Sequence, residues 1–300
     1  MSNTTASLRR TIESAGDLQG LVRTMKAIAA SSIGQYETSV RALADYYQAV
    51  ELGLAACFRD GELAPAIRQR RSKVTAAAGT TRAVVFGSDQ GLVGQFNDIV
   101  ADYAIKTLAT LPGKADVWAV GERVYARLQD AGVPPVGRFG VPHSIGAIVP
   151  LIGQILVASA PSHGEGTELH LFYNCPMGGA IYVPATQRLL PLDETWQRKL
   201  AQLPWPSGNI PELMSGGAQS LRALIREYLF ISLFRACAES LASENASRLA
   251  AMERADRNID ELLEILQARF HRLRQSDIDE ELFDVISGFE ALILSVAKMP

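Results

Sequence analysis

Apolar positions near the N-terminus of this chain recur at intervals of seven residues. One row of apolar residues keeps this interval over the first 57 residues, and a second row lies beside it. Sustained spacing of this kind, with charged residues on the remaining faces, is typical of a coiled-coil helix. Gln19 and Lys26 interrupt the second row. The first row is Leu8, Ala15, Val22, Ala29, Tyr36, Leu43, Val50 and Cys57, and the second is Ile12, Ile33, Val40, Tyr47 and Leu54.

A row with the same period lies near the C-terminus. Neither Gly nor Pro, the residues that most disfavour a helix interior, occurs between residues 218 and 287. The pattern predicts a helix of about 80 residues, longer than the roughly 50 residues of the N-terminal arm. Its C-terminal part therefore has no partner helix within this chain. The row is Met252, Ile259, Leu266 and Leu273, and after a change of phase it resumes at Leu282, Phe289 and Val296.

The region between the two arms carries almost all of the prolines, since every proline except Pro300 lies from Pro65 to Pro211. Apolar runs alternating with helical patterns predict a small, mostly parallel sheet. Residues 176–179, PMGG, are predicted to join the last two strands as a hairpin. Residues 195–217, rich in Pro, Trp and Gly, are predicted to be a linker. Strands are predicted at 82–88, 116–120, 168–174 and 180–190, and helices at 96–108, 122–131 and 144–158.

Together these patterns predict an α/β fold with two long helical arms. The N- and C-terminal helices are expected to form a long antiparallel coiled coil, and a Rossmann-like α/β domain is inserted between them. We expect the N-terminal coiled-coil helix at residues 1–62, the inserted domain at 75–195 and the C-terminal coiled-coil helix at 212–298.

The sequence GSDQGLVGQFN at residues 87–97 is the strongest candidate for a ligand-binding loop. It follows a predicted strand and opens a helix, where a dinucleotide-binding fold places its phosphate loop. Its glycine spacing differs from GxGxxG, it has no GK[ST], and Asp89 would repel a phosphate. We therefore interpret it as a structural turn, and we expect no cofactor. The isolated histidines and the scattered Cys57, Cys175 and Cys237 give no spacing expected of a metal or catalytic site.

Charge and hydropathy narrow the possible functions. The net charge of −3 argues against non-specific nucleic-acid binding, which usually needs a basic surface. The first residues lack the apolar run of a secretory signal, and no apolar run reaches the roughly 20 residues of a membrane-spanning helix. Three hypotheses remain: a mechanical or scaffolding shaft, an α/β enzyme with helical arms, and a coiled-coil arm that binds nucleic acid or a second chain.

Four blocks of the sequence resemble gamma subunits of F-type ATP synthases. LVRTMKAIAAS at 21–31 resembles their ITKAMxMVAAS pattern, and SDQGLVGQFN at 88–97 resembles SDRGLCGxxN. ESLASENASRLAAM at 239–252 is similar to ESLASExAARMxAM. RLRQSDIDEEL at 272–282, with VISG at 285–288, resembles NxxRQxxITxEL followed by EIVSG. The blocks occur in the family's order and span nearly the whole chain, although Val93, Gln95 and Asp279 depart from the usual residues.

The resemblance implies a central rotor shaft that couples translocation of protons or sodium ions to ATP synthesis or hydrolysis, without an active site of its own. It implies the alpha and beta ring subunits, the epsilon subunit and the c-subunit ring as partners, and no nucleic acid. The complex would lie at the cytoplasmic face of the bacterial inner membrane, with this chain peripheral to it. By the same resemblance, Met25, Arg248, Arg274 and Gln275 match positions that meet the beta subunits, and Ile286, Phe289, Leu292, Ile293 and Val296 would turn inside an apolar sleeve of the ring.

Because the phosphate-loop lysine and any paired nucleophile and base are missing from the sequence, we expect the isolated chain neither to bind nor to hydrolyse ATP. Titration calorimetry of the chain with ATP should give no binding heat. Micromolar affinity for ATP would instead favour the α/β enzyme hypothesis.

Overall fold

The computed structural model describes residues 4–59, 80–159, 167–178, 181–192, 194–207, 209, 211 and 217–296. Helices flank a central sheet in the order of the chain. The helices are α1 (Thr5–Ala42), α2 (Ala44–Arg59), α3 (Phe96–Leu108), α4 (Glu122–Asp130), α5 (Ile145–Ala158), α6 (Glu194–Ala201) and α7 (Gly217–Val296). The strands are β1 (Thr80–Phe86), β2 (Ala115–Val120), β3 (Gly137–Phe139), β4 (Thr167–Gly178) and β5 (Ile181–Leu190).

The seven-residue row of the N-terminal arm is its buried side. All members of the row are buried except Leu43, which is partly exposed. Leu43 lies in a turn between α1 and α2, so the arm consists of two helices rather than one continuous helix. The C-terminal arm is one helix of 80 residues, as the absence of Gly and Pro from residues 218–287 predicts.

The sheet has the strand order β3-β2-β1-β4-β5. β1 pairs parallel with β2 and β4, β2 pairs parallel with β3, and β5 closes the sheet antiparallel to β4. This is the order of the first five strands of a Rossmann fold, and it confirms the expected Rossmann-like sheet and hairpin. The short strand β3 was not predicted, and α6 lies where the sequence predicts a linker.

Both faces of the sheet are covered, and consecutive residues of β1 from Ala83 to Phe86 are accordingly apolar and buried. Ala83 and Val85 of β1 face a core that α3 and α4 complete. Val84 and Phe86 point to the opposite face, where they join residues of α2, α5 and α7 in a larger core. α5 continues through Pro150, although a proline inside a helix costs about 3 kcal/mol. Burial of its aliphatic side chains, at about 1.5–3 kcal/mol each, offsets that cost. These side chains are Ile148, Leu151, Ile152 and Ile155.

Contacts divide the chain into two compact units, one of residues 29–250 and the other of residues 1–28 with 251–300. In the described part of the second unit, α1 and α7 pack around Val22, Met252 and Ile259. Residue numbers rise along α1 as those of its α7 partners fall, so the two helices run antiparallel. From Arg274 to Gly288 every side chain of α7 is exposed. No helix in the described ranges combines the length and apolar character that crossing a membrane requires.

Gly87 and Gly153 provide a matched pair of tests for this packing. A Cβ on Gly87 would lie 2.4 Å from Cβ of Val124, so Gly87→Ala should lower the free energy of unfolding by about 1–3 kcal/mol. Gly153 lies on the exposed side of α5 with open space around it, and Gly153→Ala should raise that free energy by about 0.5–1 kcal/mol. Urea unfolding of both variants, followed by circular dichroism, measures the two changes. If Gly87→Ala and Gly153→Ala unfold at the same urea midpoint, the close approach of Gly87, directly after β1, to Val124 of α4 is contradicted.

Candidate functional site

The turn after β1, at residues 87–97, is held by its own side chains. The backbone N–H of Ser88 donates to Oδ1 of Asn97 at 2.9 Å, and Nδ2 of Asn97 donates to Oγ of Ser88 at 2.8 Å. The carboxylate of Asp89 accepts backbone N–H bonds from Glu122 at 2.9 Å and Val141 at 2.8 Å. An acceptor at the first residue of α4 is favourable because helix N-termini leave N–H groups unpaired. This bonding supports the interpretation of the loop as a structural turn.

Two left-handed residues shape this turn. Leu92 has φ 62° and Gly94 has φ 57°, and the side chain of Leu92 points into solvent. For a leucine this conformation costs about 1–2 kcal/mol, so the surrounding structure must impose it. Between them lies Val93, which is buried and whose carbonyl accepts a hydrogen bond from Oγ of Ser247 at 2.5 Å. The turn thus presents a backbone carbonyl to α7.

Where α7 passes this turn, it buries polar side chains together with apolar ones such as Leu241 and Ala242. Oγ of Ser243 donates to the carbonyl of Asn174 at 3.0 Å. Nδ2 of Asn174 donates in turn to the carbonyl of Phe96 at 2.9 Å. Buried polar groups need such partners, so α7 is bound both to the turn after β1 and to β4. The buried polar residues of α7 here are Glu239, Ser240, Ser243, Glu244, Asn245 and Ser247.

These contacts lie just beyond the carboxyl end of β1 and at Asn174 of the neighbouring strand β4, where the strand order reverses. A doubly wound sheet binds its ligand in the crevice at that point. In this chain Ser243 and Ser247 occupy the crevice with bonds to Asn174 and Val93. The geometry therefore argues against the α/β enzyme hypothesis. We name this region the α7 junction, consisting of Ser243, Glu244, Ser247 and Arg248 with Asn174 and residues 88–97.

A buried ion pair lies within the α7 junction. Nη2 of Arg248 is 2.5 Å from Oε1 of Glu244, and the two side chains are 13% and 7% exposed. Nη1 of Arg248 also donates to Oδ1 of Asn245 at 3.4 Å. Burial raises the pKa of Glu244, and the nearby charge of Arg248 opposes this shift without cancelling it.

A second carboxylate of α7, that of Glu239, faces β4. Nε of Arg235 donates to Oε1 of Glu239 at 2.7 Å, and Sγ of Cys175 donates to Oε2 at 3.5 Å. Burial and then the charge of Glu239 raise the pKa of the Cys175 thiol to about 11. Cys175 is therefore a protonated, unreactive thiol at neutral pH.

The two polar residues that interrupt the apolar rows of α1 face acidic residues of α7. Gln19 is buried, and its Nε2 donates to Oδ1 of Asp256 at 3.2 Å and also to Asp260. Nε of Arg23 and Nζ of Lys26 lie 3.3 and 3.9 Å from the carboxylate of Asp256. A buried polar group in an apolar helix interface favours the register in which it finds its partner.

The structure brings some of the resembling blocks together. Residues 88–97 contact residues 243–247 across the α7 junction, and Met25 is half-buried beside Val22 in the α1–α7 packing. Arg248 lies in the α7 junction, whereas Arg274, Gln275 and Ile286 are exposed. Phe289 and Ile293 belong to α7 but lie outside the residues whose side chains are described.

The exposed end of α7 carries large apolar side chains. Ile278, Leu282, Val285 and Ile286 are 46–71% exposed, and their spacing places them on one side of the helix. The other faces carry acidic residues, including Glu280, and the exposed Phe283. Exposed apolar stripes of this kind mark surfaces that associate with another molecule.

Sequence reasoning did not identify Asp89, Asn174, Ser243 or Ser247 as organising residues. A signal for the α7 part was present, because residues 239–248 of this long helical pattern are mostly polar, among them Glu239, Ser243 and Ser247 at intervals of four. Asn174 gave no comparable signal, since its partners are distant in sequence.

The raised pKa of Cys175 can be tested by thiol labelling. At pH 8 only about one thiol in a thousand is ionised, so iodoacetamide should label Cys175 slowly, and about tenfold faster per pH unit until pH 11. Glu239→Gln removes a negative charge beside the thiol, so labelling at pH 8 should accelerate. The buried Cys57 and Cys237 should stay unlabelled, which verifies that the chain remains folded. Equal labelling of Cys175 in both proteins would contradict the contact with Glu239.

Comparison with known proteins identifies close parallels along the whole chain. Residues 4–292 match the family model described as ATP synthase. The ATP synthase gamma chain of Rhizobium johnstonii is 27% identical over 95% of this chain and 98% of its own length. That of Syntrophus aciditrophicus is 26% identical over 95% of this chain and 97% of its own.

Solved structures agree in fold. A chain in the Euglena gracilis mitochondrial ATP synthase, OSCP/F1/c-ring, is similar with a TM-score of 0.63 at 16% identity, covering 99% of this chain and 96% of that one. A chain in the Tetrahymena thermophila mitochondrial ATP synthase, central stalk/c-ring, has a TM-score of 0.51 at 20% identity, covering 78% of this chain and 99% of that one. With a family model that matches nearly its full length, the chain belongs to the ATP synthase family.

Proposed function

We propose that this chain is the gamma subunit of an F-type ATP synthase, the central rotor shaft that couples proton or sodium-ion translocation to ATP synthesis or hydrolysis. The exposed apolar end of the 80-residue helix α7 is the observation that carries the proposal. A helix end that leaves large aliphatic side chains in water needs a partner, and a surrounding ring supplies one. The gamma chain relatives, matched over almost their whole lengths, support the same role.

The chain's part in this activity is mechanical, and catalysis belongs to the ring. At the crevice where a Rossmann-like fold would bind a nucleotide, Ser243 and Ser247 of α7 bind the backbone instead. The partners are the alpha and beta ring subunits, the epsilon subunit and the c-subunit ring, and nucleic acid is not among them. The complex lies at the cytoplasmic face of the bacterial inner membrane, and this chain is peripheral to it. The proposed arms are residues 1–62 and 212–298 and the proposed inserted domain is residues 75–195, and the ends of these ranges lie outside the described residues except for residue 195.

Coupling requires that the shaft contact the different states of a ring site unequally. A shaft can change the nucleotide affinity of a ring site only by contacting two states of that site unequally. Exposed Arg274 and Gln275 supply directional polar contacts, whereas Ile286, Phe289 and Ile293 supply apolar ones. Apolar contacts are non-directional, so the end of the shaft can turn without breaking hydrogen bonds at each step. Met25 and Arg248 are the remaining ring contacts, and both are partly covered by their own chain.

Replacement of both Arg274 and Gln275 by Ala tests the contact with the ring. In an assembled complex, ATP-driven ion pumping should fall about tenfold, which corresponds to about 1.4 kcal/mol of lost coupling. The melting profile of the chain should stay unchanged, because exposed polar residues contribute less than about 0.5 kcal/mol to stability.

Glu264→Ala is the matched control, since Glu264 is exposed on the same helix but lies outside the resembling block. This control should pump like the wild type. If the double variant and the control behave alike in hydrolysis and pumping, Arg274 and Gln275 do not contact the ring. Failure of the chain to assemble with alpha and beta subunits would contradict the proposed function itself.

A further inference from the structure

Arg248 is held away from solvent by neighbours on its own helix. Its guanidinium donates to the carboxylate of Glu244 one turn earlier and to the side-chain oxygen of Asn245. The bond to Glu244, at 2.5 Å, is short and charge-assisted, whereas the bond to Asn245, at 3.4 Å, is long. Glu244 therefore makes the main contact that fixes the position of the guanidinium.

The pair is incompletely satisfied, although it is buried. Within the described residues, Oε2 of Glu244 and Nε of Arg248 have no hydrogen-bond partner. Well-packed apolar residues are often as stabilising as a buried ion pair, and a partly satisfied pair is less favourable still. Fold stability thus gives no reason for placing these two charges here.

The surroundings leave Arg248 as the chief counter-ion of Glu244. The next charges that act on Glu244 are those of Asp89, which is unfavourable, and His143, which is weakly favourable. Both oxygens of Asp89 already accept backbone N–H bonds from Glu122 and Val141. Because both oxygens of Asp89 are bonded to backbone N–H groups, Glu244 is the carboxylate that makes the direct hydrogen bond to Arg248 among the described residues.

From this geometry we infer that Glu244 is a positioning residue, whose negative charge retains Arg248 in the α7 junction and so sets how readily Arg248 reaches the ring. The inference rests on the proposed function for the ring contact, but the retention itself is a property of the chain alone. By this inference Glu244 acts on coupling through Arg248 and not through a ring contact of its own.

Arginine-selective labelling tests the retention. The full chain is treated with phenylglyoxal at a single pH, and peptide mass spectrometry gives the modification of Arg248 relative to exposed Arg274. Glu244→Gln should raise this ratio at least about fivefold, because a neutral amide holds a guanidinium less strongly than a carboxylate does. Glu244→Asp, which keeps the charge, should restore most of the protection.

Two controls separate retention from loss of structure. Glu261→Gln changes an exposed acid of the same helix and should leave the ratio unchanged. The buried thiols of Cys57 and Cys237 should stay unreactive in every variant that remains folded. If Glu244→Gln exposes these thiols, Glu244→Asp becomes the deciding variant. The inference is overturned if Glu244→Asp raises the modification of Arg248, relative to Arg274, as far as Glu244→Gln does.

The assembled complex tests the consequence for coupling. Pumping per ATP hydrolysed is compared in Glu244→Gln, Arg248→Ala and the double variant. If Glu244 acts through Arg248, Glu244→Gln changes the number of ions pumped per ATP hydrolysed, and the double variant pumps like Arg248→Ala. The inference is overturned if the losses of pumping per ATP in the two single variants add in the double variant, or if Glu244→Gln leaves pumping per ATP unchanged. A chain that never assembles contradicts the proposed function, and the labelling ratio alone then decides whether Glu244 retains Arg248.

Discussion

Hydrogen bonds from polar side chains buried between α7 and the sheet fix where this part of α7 lies on the strands of residues 29–250. The hydroxyls of Ser243 and Ser247 have hydrogen-bond acceptors because the backbone carbonyls of Asn174 and Val93 point toward α7. The left-handed conformation at Leu92 and the bonds between Ser88 and Asn97 serve that presentation. Apolar packing would hold the helix as well, but hydrogen bonds add a fixed position along its axis.

Much of this fold could be predicted from periodicity and from the places where Gly and Pro are missing. The 80 residues of α7 and the helix Phe96–Leu108 follow from pattern alone, because long periodic segments give strong signals. The strand Gly137–Phe139 has three residues, too few for any period to register. The helix Glu194–Ala201 lies almost wholly within a stretch whose Pro, Trp and Gly content predicts a linker. The break at Leu43 coincides with an apolar residue of the seven-residue row, so the sequence pattern continues through it.

The candidate site was predictable only in part. Resemblance directed attention to residues 88–97 and 239–252, but it gave no reason for those blocks to meet. Their contact depends on groups more than 150 positions apart in the sequence, such as the hydroxyl of Ser247 and the backbone carbonyl of Val93. Arg248 shows the same limit, because a sequence motif does not reveal that Glu244 covers its guanidinium. Gln19 and Lys26 look like defects in an apolar row until the acids that they face are known.

The pairing of α1 with α7 has a consequence for biosynthesis. Gln19 and Asp256 are 237 positions apart, so the N-terminal helix leaves the ribosome long before its partner exists. At 5 to 20 residues per second, the wait lasts roughly 12 to 47 s. During that time Leu8, Ala15 and Val22, which the finished chain buries, have no covering helix. The buried side of the N-terminal helix is therefore without its partner helix until translation is nearly complete.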